Sequence, residues 1–378
     1  MGPGQEETQE PALLDVEREP AFRLGRENAE QNDKDVKLVT DAALVERVNR
    51  IGQEIAAVAN KVAIPAKWGS SQLKQFNYSF KIVDDKDVNA YSLPGGFIYV
   101  NKGLLDYVHS DDELAGVLAH EVAHAAHHHM LKLIKEQNKI DLATLPIKLA
   151  TILLTMAGKG NAADAQNIML ATQLYTVAKI NTYGVEAEKD ADQTGIRLLQ
   201  HTRYNPVGLY SFMLRMAALE QRRGPVDLGI FRTHPPGEER AEAAKALLTE
   251  LNIPIRLSEV DPKLKPTVSL VKEEKTGTEL AEIRVRDILL CRIAADDGLT
   301  AEQRAEKIAK RLNTLIETRL QPFEIKASPD QTKVMARGFA VQTEADAAAQ
   351  QKTIPVLARE LTDAMSQFLL KQQLESGI

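Results

Sequence analysis

The sequence predicts an α+β fold: a mostly helical main domain that carries a small β-sheet, followed by a C-terminal α+β domain. Three observations predict it. Apolar residues recur at helical spacing over residues 37–61, as Leu38, Leu44, Val45, Val48, Ile51, Ile55 and Val58, and again in most of the runs up to residue 251. One early stretch alternates instead, with Phe76, Tyr78, Phe80 and Ile82 on one face, which is strand periodicity. At 252–276 the composition shifts, and Pro254, Pro262 and Pro266 stand among charges, which reads as a linker.

These features divide the 378 residues into a polar Glu/Gln/Pro-rich lead (1–33), expected to be disordered in part, a main domain (34–255), the linker (256–276) and the C-terminal domain (277–378). A hydrophobic share of 44% with 26% charged residues fits a soluble globular chain. The net charge of −6 offers no general attraction for nucleic acid, and no nucleic-acid-binding motif is present. The single cysteine, Cys291, excludes an internal disulfide and a Cys-rich metal site. Residues 1–35 contain no apolar run of the kind an export signal needs. Met1-Gly2-Pro3-Gly4 reads as a trimmed start, so a natural precursor with an export signal is compatible with this chain. The most apolar run, 142–158, holds Pro146 and Lys148 and is shorter than the roughly 20 residues a membrane span needs, so it reads as a buried or amphipathic helix. A place at the membrane periphery is compatible with that.

Taken in order, 37–61 is an amphipathic helix and 76–83 a strand. Residues 88–100 form two short β-prone pieces around the Pro94-Gly95-Gly96 turn. A helix then runs from 111 to about 135, with Ser110 or Asp111 as its N-cap and acids in its first turn. Helical runs follow at 142–158 and 162–179, and an acid-rich helix starts near Tyr183 and continues to Leu199. Asn205-Pro206 opens another helix, 231–237 is a loop, and 238–251 is helical. In the C-terminal domain, 278–294 is β-rich, 300–319 a strongly amphipathic helix, 324–327 and 333–341 strands, and 354–374 a closing helix.

The helix at 111–135 carries the chemistry. His120 and His124 are four apart, so their rings leave one face one turn apart and can meet on one small cation. Glu121 lies beside the first of them. This is the HExxH arrangement, in which two His bind zinc and the Glu serves as general base. A catalytic zinc needs a third protein ligand. The acidic stretch offers Glu186, Glu188, Asp190 and Asp192, as two i,i+4 pairs between which spacing does not choose. In either register the Glu is a candidate ligand, and the Asp one turn on can hold a ligand His through its other ring nitrogen. His127 lies on the face of His120 and His124 at about 100° per residue, while His129 is expected to point away. His127 is thus a rival ligand, but three ligands along one straight helix converge poorly, so it is expected to stand behind a ligand, in packing or at the surface, and His109 and His201 read as structural.

Four blocks in order carry a family resemblance: Asn89-Ala90 with Pro94-Gly95-Gly96 and Gly103-Leu104-Leu105; His120-Glu121-Val122-Ala123-His124; Glu188 to Gly195; and Thr233-His234-Pro235 with Arg240. They are similar to the gluzincin metallopeptidases of the HtpX, BepA and CAAX-prenyl-protease family, over roughly residues 22–255. The chain lacks that family's membrane helices and so resembles its soluble BepA-like or minigluzincin branch. The resemblance implies a zincin-type main domain and one catalytic Zn2+ on His120, His124 and Glu188, with Asp192 behind a ligand His. It further implies that His234 and Arg240 hold the tetrahedral intermediate, with a His that in some members swings onto the metal. It implies a polypeptide substrate held extended near Asn89 and Ala90, and a cell-envelope (periplasmic) or secreted location. Tyr183 precedes the ligand helix and can face the cleft. Cys291 sits in a β-like run and reads as a core thiol, with a zinc-blocking thiolate as the alternative. The function expected is a zinc endopeptidase, open or latent. The rival is a chaperone-like or peptide-binding protein that keeps the fold without turnover.

Overall fold

A computed structural model describes residues 20–138, 184–223, 234, 238–273 and 277–376. The helical runs expected at 142–158 and 162–179, Tyr183, and the loop 231–237 apart from His234 lie outside the described residues. The chain divides into two compact units, Met1–Met213 with Arg223–Pro254, and Leu214–Arg222 with Ile255–Ile378.

The first unit begins with α1 (Pro20–Asp35), so the later part of the lead is helical. Helix α2 (Ala42–Ala59) is the amphipathic helix predicted for 37–61, shorter at both ends. Asp41 caps it by accepting the Leu44 N–H, and it buries Val48, Ile51 and Ile55. Strands β1 (Ser79–Val83), β2 (Ala90–Leu93) and β3 (Phe97–Asn101) form one sheet in the order β1-β3-β2. Strand β1 runs parallel to β3, and β2 pairs antiparallel with β3 across the Pro94-Gly95-Gly96 turn. Phe76 and Tyr78 are buried as the alternation implies, but they precede the paired part of β1.

Helix α3 (Lys102–Tyr107) leads into α4 (Asp111–Ala126). Ser110 caps α4 by accepting the Glu113 N–H, and Asp111, Asp112 and Glu113 place negative charge at the positive end of the helix dipole. Arg47 and Arg50 of α2 bind the Asp111 carboxylate at 2.8 and 2.7 Å, which ties α2 to the start of α4. Nearly all of α4 is buried, so it is a central helix rather than a surface one. It ends sooner than the predicted 135. The chain breaks at His127 and His128, where His128 takes φ +55°, and restarts as α5 (His129–Asn138). Tertiary contacts impose this break, because Ser70 N–H donates to the His127 carbonyl and Asp190 binds the rings of His127 and His129.

Helices α6 (Val185–Leu199) and α8 (Glu238–Glu250) complete the unit, and α7 (Val207–Arg223) begins in it, its residues Leu214–Arg222 belonging to the second. Helix α4 packs against both α2 and α6. At Gly116 the backbones of α4 and α7 come so close that a Cβ would lie 2.6 Å from the Leu209 Cα.

The longer part of the second unit starts at Ile255 and takes in the whole segment read as a linker. Leu257–Val260 (α9) is helical, and Thr267–Lys272 (β4) is a strand paired with β5 (Glu279–Val285). That linker expectation is corrected here. Strand β4 is a mostly exposed edge strand, so it needs no apolar face and its sequence shows no alternation. Strand β6 (Ile288–Ile293) completes the first sheet, and α10 (Ala301–Glu317), capped by Thr300, packs on it. Strands β7 (Ile325–Ala327), β8 (Lys333–Ala336) and β9 (Phe339–Thr343) form a second antiparallel sheet. Helix α11 (Glu344–Ala349) follows, and α12 (Ile354–Ser376) packs on β6, β7 and β8.

Gly116→Ala forces the α4–α7 contact apart. Overpacking of this kind costs about 1–3 kcal/mol, and thermal denaturation should show it as a lowered Tm. An unchanged Tm means the two backbones are not in close contact.

Candidate metal centre

Four segments of the first unit meet at one buried point. Helix α4 brings His120, Glu121 and His124, α6 brings Glu188 and Asp192, the first turn of α8 brings Arg240, and His234 comes from the segment before it. Glu121, Glu188 and Asp192 are each 1% exposed, so three carboxylates have left water and each needs a partner.

The donors converge closely. His120 Nε2 lies 2.9 Å from His124 Nε2 and 3.4 Å from Glu188 Oε2. His124 Nε2 lies 3.4 Å from Glu188 Oε1. His234 Nδ1 is 3.2 Å from His120 Nε2 and 3.1 Å from Glu188 Oε1. One atom from each of His120, His124, Glu188 and His234 therefore lies within 4.8 Å of the others, a set able to hold a metal ion. Glu121 stands at the rim of this set. Its Oε1 is 3.3 Å from His234 Nε2, while its Oε2 is buried with no hydrogen-bond partner.

Behind the donors, His120 Nδ1 donates to Asp192 Oδ1 at 2.8 Å. Arg240 donates through Nε and Nη2 to Asp192 at 2.8 and 2.9 Å, and its Nη1 lies 2.9 Å from Glu188 Oε2. Burial works against the charge on each of these groups, but their opposite partners outweigh it. His234 and Arg240 hold Glu188 well below the usual carboxylate range, and Arg240 lowers the pKa of Asp192. Burial opposes a proton on His120, yet Asp192 and Glu188 push its pKa up to about 10. Burial and the neighbouring His120 drive His124 well below its usual value.

A family model described as peptidase family M48 matches residues 46–248. That is more than half of the chain and contains every residue of the cluster. The chain belongs to peptidase family M48. Among its curated relatives, the beta-barrel assembly-enhancing protease of Yersinia pestis is 27% identical over 235 residues, covering 62% of this chain and 44% of that protein. The mitochondrial metalloendopeptidase OMA1 of Schizosaccharomyces pombe is 26% identical, over 60% of this chain and 59% of that protein. The metalloprotease LoiP of Escherichia coli is 26% identical, over 56% of this chain and 79% of that protein. The chain thus spans less than half the length of the Yersinia relative. A second model, a domain of unknown function (DUF8459), matches residues 282–372, inside the second unit.

Within the M48 segment the structure brings together His120, Glu121, His124, Glu188, Asp192, His234 and Arg240. It also separates the two registers left open by spacing, since Glu186 is exposed and Asp190 faces His127 and His129 instead. The Arg240 guanidinium contacts Asp192 and Glu188. Asn89 and Ala90 lie at the far end of β2 from the turn. The Asn89 carbonyl accepts from Asn101 N–H within the sheet. By antiparallel alternation the backbone groups of Ala90 and Ser92 then point to the outer side of β2. Ser92, Leu93 and Pro94 line one small cavity with His124, so the end of β2 nearest the cluster is this one.

Arg240→Ala strands two buried carboxylates. Breaking a buried pair from one side costs about 3–5 kcal/mol, which chemical denaturation should register, and Arg240→Lys should recover only part of it because one ammonium cannot span both carboxylates. Wild-type stability in Arg240→Ala would mean that Asp192 and Glu188 do not depend on it.

Proposed function

We propose that this chain is a zinc-dependent endopeptidase whose described state is latent, with His234 in the fourth position. The observation that carries the reading is the convergence of two imidazole nitrogens, a carboxylate oxygen and the His234 nitrogen beside an unpartnered Glu121 oxygen. Zinc bonds of about 2.0–2.1 Å in a tetrahedron set neighbouring donors roughly 3.3 Å apart. The separations here run from 2.9 to 3.4 Å. His120, His124 and Glu188 would hold the ion. When bound, zinc supplies Lewis acidity toward the scissile carbonyl and lowers the pKa of water to about 7.

The protein groups do the rest. Glu121 accepts the proton of the attacking water on its unpartnered Oε2 and passes it to the leaving amine. Asp192 fixes the tautomer of His120, and Arg240 holds Asp192 and Glu188 in place rather than touching substrate. His234 leaves the donor set to admit substrate, and its position near Glu121 suits it to stabilise the developing oxyanion afterwards. An extended polypeptide adds to the outer side of β2 through the backbone groups of Ala90 and Ser92. A cell-envelope or secreted location goes with this reading and rests on the family resemblance. No described helix is long and apolar enough to cross a membrane.

Zinc content and casein cleavage should be measured together on the wild type, His234→Ala and Glu121→Gln. One zinc per chain is expected in all three, with faster cleavage in His234→Ala and a loss of about 10²–10⁴-fold in Glu121→Gln. A wild-type chain without zinc sinks the reading. Zinc-loaded protein that stays inactive even as His234→Ala favours a peptide-binding protein without turnover.

A further inference from the structure

We propose that His129 is a positioning residue for His124, the middle member of a His124–His129–Asp190 relay anchored on the Trp68 carbonyl. The inference rests on the reading that His124 offers Nε2 to a metal. A histidine ligand is steered by whatever binds its other ring nitrogen. For His120 that partner is Asp192. For His124 it is His129, whose Nδ1 lies 2.9 Å from His124 Nδ1.

One assignment of protons satisfies the whole chain of contacts. With the His124 Nε2 lone pair directed at the donor cluster, its proton sits on Nδ1 and is donated to His129 Nδ1. His129 then carries its own proton on Nε2. That nitrogen is 2.8 Å from the Trp68 carbonyl oxygen and 3.1 Å from Asp190 Oδ2, and both of these only accept. His129 is fully buried, so each of its ring nitrogens needs a protein partner, and these contacts supply one for each.

The surroundings are built to hold this arrangement. The break after α4 turns His129 back, so that its ring meets His124 edge to face at 4.9 Å. Asp190 is itself fixed, with Oδ1 accepting from the backbone N–H groups of Lys67 and Trp68. Gly69 has φ +110°, and a Cβ there would fall 2.5 Å from the His127 carbonyl and 2.7 Å from the His129 ring. The loop therefore reaches His129 only because residue 69 lacks a side chain.

His127, His129 and Asp190 also form a set that can hold a metal ion. Their hydrogen bonding favours the relay. His127 Nδ1 is committed to Asp190 at 2.5 Å and its Nε2 to the Ile64 carbonyl at 3.1 Å, while His129 Nδ1 is committed to His124. His127 thus shares Asp190 with the relay, but its ring nitrogens go elsewhere than to His124, which makes it the control.

The test is zinc affinity on the full chain, by competition with a chromophoric chelator, for the wild type, His129→Ala, His129→Gln and His127→Ala. Loss of such a partner weakens a metal site about 10–100-fold, and His129→Ala is expected in that range. His129→Gln, whose amide oxygen can accept from His124 Nδ1–H, should recover much of it, and His127→Ala should bind zinc close to the wild type. Long-range imidazole 1H–15N spectra of the zinc-loaded wild type give a readout independent of folding in the variants, and should show His129 protonated at Nε2. Equal losses in His127→Ala and His129→Ala, no recovery in His129→Gln, or a His129 proton on Nδ1 each overturn the proposal. A wild-type chain that takes up no zinc fails differently, because it removes the metal reading itself.

Discussion

The first unit depends on the carboxylate of Asp192. It is 1% exposed, accepts two hydrogen bonds from Arg240 and one from His120, and so joins α4, α6 and α8 at one point. In a low-dielectric interior such bonds are strong when complete and costly when one member is missing. Arg240 can remain buried only because Asp192 and Glu188 both face it. His234 and Arg240, beside Glu188, in turn hold its pKa well below the usual carboxylate range against the effect of burial. The same contacts therefore balance the buried charges and set the geometry of the cluster.

Helix α6 serves two clusters from one short acidic run. Glu188 and Asp192, one turn apart, face His120 and His124. Asp190, about 200° round the helix from each, is buried all the same, because it faces the break after α4 and the 64–68 loop. This enclosure explains why Glu188, Asp190 and Asp192 are buried in a stretch that looks like a solvated helix start. It also gives each histidine of the HExxH pair a route to a carboxylate on α6, direct for His120 and through His129 for His124.

The second unit is held by different means. A shared apolar core of β5, β6, α10 and α12 carries it, with Arg304 and Asp346 as a buried pair at 2.9 Å. Cys291 belongs to that core, and burial pushes its thiol pKa up, so it stays protonated and is poorly suited to ligate a metal. Among the described residues, no group of metal donors lies wholly within this unit.

The sequence by itself determined the elements whose causes are local. Apolar periodicity marked α2, α10 and α12, the Pro94-Gly95-Gly96 turn marked the β2–β3 hairpin, and Ser110 with three acids marked the start of α4. The i,i+4 spacing put His120 and His124 on one face, and the resemblance singled out Glu188, Asp192, His234 and Arg240. Tertiary structure alone decided the rest. An edge strand such as β4 has no buried face to impose a pattern, so it passed for linker. The end of α4 at Ala126 follows from contacts with residues 70 and 190, far along the chain, and helical spacing therefore sent His129 the wrong way. Arg240 shows the same limit. Its place after His234 is visible in the sequence, but only the packing of α8 on α6 shows that its guanidinium is held by carboxylates.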